Sequence, residues 1–133
     1  MKYSMKSKGF SMIEVLIAIV ILSITLLSLA SLMAMTTKNN SYGGHVTEAV
    51  TFAQDMLEAL KVTPWANIVG GADVIQGSKS LINYNRTWNV SILTDPGPPP
   101  VELLKTVSVR VDWNDGASHS INILSAIRNP AAP

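Results

Sequence analysis

The stretch "SKGFSMIEVLIAIVIL", residues 7–22, opens an apolar run that reaches Met35 and carries a single carboxylate, Glu14. From Val15 to Met35 there are 21 residues without a charge. At about 1.5 Å per residue a helix of that length covers roughly 30 Å, the hydrocarbon thickness of a bilayer. Lys2, Lys6 and Lys8 precede the run and only Lys38 follows it closely. That bias predicts a cytoplasmic N-terminus and a single pass, with the bulk of the chain outside.

A secretory signal peptide has a shorter apolar region, about 7–15 residues, ending at a small-residue cleavage box. "SLMAMTTKNN", residues 31–40, offers no such box. A plain single-pass anchor accounts for the span but leaves Glu14 unexplained. A charge at a helix centre costs about 2.5–3.5 kcal/mol on insertion scales, and less near an interface.

"KGFSMIEVLIAIVIL", residues 8–22, resembles the class III signal of type IV pilins and type II secretion pseudopilins. The matching features are a basic leader ending in Gly9, the aromatic Phe10, Glu14 five residues after the glycine, and the apolar helix. The resemblance implies a leader of residues 1–9, cut by a membrane prepilin peptidase between Gly9 and Phe10. It also implies N-methylation of Phe10. A glycine suits such a site because it puts no side chain in the way of a tight cleft. Cleavage would create an α-ammonium at Phe10, and a charge at the edge of an apolar medium needs an opposite charge beside it. Glu14 supplies one, to its own amine or to that of a neighbouring subunit, and would so set assembly register. Glu14, Ala18, Ile21, Thr25 and Ser28 also share one helical stripe, where small and hydroxyl residues suit close helix approach in lipid.

The implied setting is the bacterial inner membrane, with a periplasmic C-terminal domain and a pilus or pseudopilus after assembly. The implied partners are the peptidase, other major and minor pilins or pseudopilins, the inner-membrane assembly platform and membrane lipid.

Beyond the span, "TTKNNSYGG", residues 36–44, is polar, and Gly43-Gly44 could end, kink or loosen the helix. From His45 the helical period returns in Val46, Ala49, Val50, Ala53, Met56, Leu57 and Leu60, with Glu48, Thr51, Asp55 and Glu58 opposite. We expect one long helix interrupted near the glycines, stopped by Pro64, with its second part at about 45–62. Residues 10–36 form its membrane and assembly half, and residues 37–133 a small soluble domain.

The connection from Val62 to Ser80 is glycine-rich and weakly periodic. Three strands are expected beyond it, at about 84–93, 104–113 and 118–128. In them Tyr84, Trp88, Val90 and Ile92 share a face, as do Val107, Val109, Val111 and Trp113, and Ile121, Ile123 and Ile127. Asn114-Asp115-Gly116 predicts a hairpin between the last two. "DPGPPP", residues 95–100, predicts a stiff loop between the first two. The helix stripe and the apolar sheet face cover one another most simply as an α+β layer pair, a pilin-like helix on a small antiparallel sheet of three to four strands. Trp88 and Trp113 are the expected core between them.

With no cysteine there is no disulfide staple and no thiolate metal site. Major pilins usually carry a C-terminal disulfide loop. The chain departs from them there, and in its order of elements it is most similar to minor pilins of the PilV type and minor pseudopilins of the I type. From Phe10 onward seven basic and nine acidic residues leave a net charge of −2 and no basic cluster, which argues against nucleic acid. No P-loop, zincin helix, nucleophile elbow or dinucleotide fingerprint is present, so no enzyme and no cofactor is expected. His45 and His119 read as isolated, solvated residues, and Asp112 and Asp115 as turn-capping acids short of the oxygens calcium takes. Another class remains open: a membrane-anchored binding module that does not polymerise.

Overall fold

The computed structural model describes residues 9–132. Residues 1–8 of the expected leader, including Lys2, Lys6 and Lys8, lie outside the described residues, as does Pro133. The chain divides into two compact units between Ser41 and Tyr42. One helix, α1 (Met12–Val62), contributes to both, followed by β1 (Gly71–Gln76), β2 (Asn83–Asp95), β3 (Val101–Asn114) and β4 (Ser118–Arg128).

In the first unit the helix carries no charge from Val15 to Met35, and large side chains such as Ile13, Leu16, Ile24 and Leu27 are exposed. It is the one helix long and apolar enough to cross a membrane among the described residues. Its backbone is saturated by its own i to i−4 bonds, as hydrocarbon requires.

The expected interruption near Gly43-Gly44 is absent: α1 runs through both glycines. Each costs about 1 kcal/mol relative to alanine, too little to break a helix that propagates into them from both sides. The Thr47 hydroxyl also donates to the Gly43 carbonyl at 2.9 Å. The helix ends at Val62, just before the Thr63-Pro64 step, as proline disfavours helical backbone in the residue preceding it. A short 3-10 turn, Trp65–Asn67, follows.

The second unit is a four-stranded antiparallel meander in the order β1-β2-β3-β4. The hairpin turn between β3 and β4 places Gly116 at φ 108°, a backbone region that favours glycine. β2 and β3 stay paired out to Asp95 and Val101, with a register shift at Leu93/Thr94, and residues 96–100 form the connecting loop.

Ala49, Ala53, Leu57 and Leu60 of α1 are buried with Tyr84, Val107, Val109, Val111 and Trp113 of the sheet. Ala49 and Ala53 are 0% exposed. With only a methyl group at each, helix and sheet approach closely. This is the α+β layer pair that the patterns predicted. Trp113 is in the core, whereas Trp88 is half-buried at its margin.

β1 falls inside the stretch read as an irregular connection. Its inward positions are Gly71, Asp73 and Ile75, so the apolar alternation that marks a strand is missing. Gly71 and Asp73 each have a reason. A β-carbon on Gly71 would lie 2.5 Å from Cζ2 of the Trp88 ring. Asp73 takes the guanidinium of Arg86, whose Nε donates at 3.0 Å.

Two cations lie in the core. Arg86 also donates from Nη1 to the Phe52 carbonyl of α1 at 2.7 Å. Lys105 of β3 donates to the carbonyls of Trp65 at 2.7 Å and Ile68 at 3.2 Å, and sits 4.7 Å from the Trp65 ring centroid. The Trp65 indole in turn donates to Glu102 at 2.7 Å. Buried charges cost stability unless they are bonded, and both of these are.

Candidate functional site

The residues singled out by the sequence lie at the start of α1. Gly9 and Phe10 precede the helix; nothing crowds a β-carbon placed on Gly9, and Phe10 is 82% exposed. Ser11 leads the helix, its carbonyl accepting the Glu14 amide at 3.0 Å and that of Val15 at 3.3 Å. Glu14 occupies the first turn, and its side chain is exposed. A carboxylate there complements the partial positive charge of the helix N-terminus, a role it has whatever else it does. Thus Gly9-Phe10 is an open peptide segment, and Glu14 stands about one turn beyond it.

Along the stripe that begins at Glu14, the Thr25 hydroxyl donates to the Leu22 carbonyl at 2.8 Å and that of Ser28 to Ile24 at 2.9 Å. Their protons are committed within the helix, so the stripe offers neighbours small volume rather than donors.

The second unit has a polar cluster that the sequence reading dispersed. The helical period puts Glu48 opposite the apolar stripe, yet its side chain ties α1 to the turn between β1 and β2. Its carboxylate accepts the Lys79 amide at 3.0 Å, the Ser80 hydroxyl, and the phenol of Tyr84 at 3.0 Å. The Ser80 hydroxyl first, with the Lys79 amide and the Tyr84 phenol, holds the Glu48 carboxyl below its ordinary range although burial opposes it. Burial, reinforced by Glu48, raises the Tyr84 phenol above its own.

His45 and His119 are not isolated. Nε2 of His119 lies 3.0 Å from one oxygen of Asp115, and Nε2 of His45 lies 3.7 Å from the other. Aromatic rings close over this group. Tyr42 lies 4.9 Å and Trp113 5.4 Å from the His119 ring, centroid to centroid. The spacing carried a signal: Glu48 is three residues from His45 on a helix, and Asp115 is four residues before His119 across a turn. What it could not give was the meeting of helix and turn. No group of three or more histidines and carboxylates that could hold a metal ion occurs among the described residues.

The model of one family, the prokaryotic N-terminal methylation motif, matches residues 4–35. No curated protein and no solved structure matches the chain. The matched segment contains Gly9, Phe10, Glu14 and the apolar half of the helix, and it supports a type IV pilin-like or pseudopilin subunit processed by a prepilin peptidase.

Proposed function

We propose that the chain is a minor pilin, stored in the inner membrane and built into a type IV pilus through its N-terminal helix. The observation that carries this reading is the register of Gly9, Phe10 and Glu14 ahead of an uncharged span, inside the matched motif. Peptidase cleavage between Gly9 and Phe10 frees an ammonium at Phe10, which is then N-methylated. Glu14 neutralises that charge, its own or a neighbour's, where water is scarce. The helix then exchanges lipid contacts for helix contacts, while the sheet domain faces away from the cytoplasm and touches other pilins. The subunit's work is mechanical, with no cofactor and no catalysis.

The lack of cysteine favours a minor rather than a major subunit, since major pilins usually close a C-terminal disulfide loop. A minor pseudopilin of a type II secretion system has the same N-terminal chemistry. The genes beside this one separate the two, a pilus operon against a secretion operon.

Glu14→Gln and Glu14→Val test the assigned role. Both should leave leader cleavage intact and lower recovery of the subunit in sheared filaments by tenfold or more, about 1.4 kcal/mol or above. Wild-type recovery of both variants contradicts the role of Glu14.

A further inference from the structure

We propose that His45, Asp115 and His119 form a proton-responsive clasp that fastens the β3–β4 turn to α1 more firmly as the surroundings acidify. The turn presents its carboxylate from a braced backbone. The Asp115 amide donates to the Ala117 carbonyl at 3.3 Å, and the Gly116 amide to the Asn114 side chain at 2.9 Å. One imidazole stands at each oxygen of Asp115: His119, from the start of β4, at 3.0 Å, and His45, from α1, at 3.7 Å.

Imidazole is the side chain that ordinarily changes charge between pH 5 and 8. With both rings neutral, His119 makes one hydrogen bond to Asp115, while His45 is beyond hydrogen-bond reach. A proton on either ring places a cation beside the carboxylate. The three side chains are 13%, 20% and 26% exposed for His45, Asp115 and His119, so solvent screens them less than a surface pair. The first proton gains more than the second, because two cations then share one anion.

Among the described residues, carboxylates, a phenol and aromatic rings also face the clasp. From α1, Glu48 reaches the Tyr84 hydroxyl, itself 3.4 Å from Nδ1 of His45. Tyr42 of α1 and Trp113 of β3 pack on the His119 ring. Asp112 of β3 is held by Arg110 on the exposed sheet face. The Glu48 tie weakens only in the carboxylate range, so the two ties respond to pH with opposite sign in separate windows.

Hydrogen exchange of the full chain in detergent micelles tests the clasp. Protection of the amides from Asp115 to Ser118, corrected for intrinsic exchange, should rise roughly threefold between pH 8 and pH 5.5, within the range of modest ion pairs. Asp115→Asn should abolish that rise, and His45→Gln and His119→Gln should each reduce it. A flat wild-type profile overturns the clasp without recourse to any variant. So does an unchanged rise in a folded Asp115→Asn protein.

Discussion

The two units solve opposite solvation problems with neighbouring stretches of chain. In residues 12–41 the backbone is satisfied internally while large apolar side chains face outward, and Leu27 is 72% exposed. In residues 42–132 helix and sheet bury a shared apolar core that includes Leu57, Val107, Val109 and Val111, and polar groups reach inward to tie elements together. The apolar surface of the first unit suits a solvent of hydrocarbon or of other such helices. The second supplies its own interior. A substitution should therefore be read by a different assay in each unit, even where the chemistry of the change is the same.

Trp113→Ala against Leu27→Ala is the sharpest form of the contrast. The first removes a buried ring from the core and should cost about 3–5 kcal/mol. The second should leave the domain's urea midpoint unchanged, because no core depends on Leu27. Equal losses in denaturant unfolding would erase the distinction between the units.

Arg86→Ala comes next. It leaves the Phe52 carbonyl and the Asp73 carboxylate without their donor, at about 2–3 kcal/mol in the same assay. Gly71→Ala drives a methyl group against the Trp88 ring and should cost about 1–3 kcal/mol, with a blue-shifted or broadened indole signal as a local check.

The Glu48 tie has a pH signature. Its carboxyl is held below the ordinary range in the folded domain, so its contribution is full above the unfolded pKa and is lost as pH falls through the folded one. Denaturant midpoints should fall on acidification below the ordinary glutamate range, and Glu48→Gln should flatten that part of the curve. The smallest effect is expected where the units join. Gly43→Ala and Gly44→Ala meet no neighbour and should raise helix stability by about 0.5–1 kcal/mol each, read as thermal loss of helical circular dichroism.

The span, the Gly9-Phe10-Glu14 register and the three long strands were legible because each is a local pattern. Val107, Val109, Val111 and Trp113 alternate without exception, and the turn at Gly116 follows from its dipeptide. β1 was illegible for a physical reason. Its inward row was shaped by partners distant in sequence, a glycine for Trp88 and an aspartate for Arg86. Lys105 has the parity of the inward Val107, but nothing local in the sequence supplies the two carbonyls and the indole that hold its charge there. At Gly43-Gly44 a helix already propagating from both sides overrides the weak local propensity of two glycines. His45, Glu48 and Asp115 each looked ordinary alone. Their meaning came from the packing of helix on sheet, which no spacing along the chain records.

The central claim is that proteolysis creates the charge Glu14 answers, and the intact mass of the subunit purified from membranes tests it most directly. The account predicts a chain beginning at Phe10, lacking residues 1–9 and carrying one added methyl group. A full-length, unmodified chain starting at Met1 would contradict it and leave a plain anchor bearing a small sheet domain.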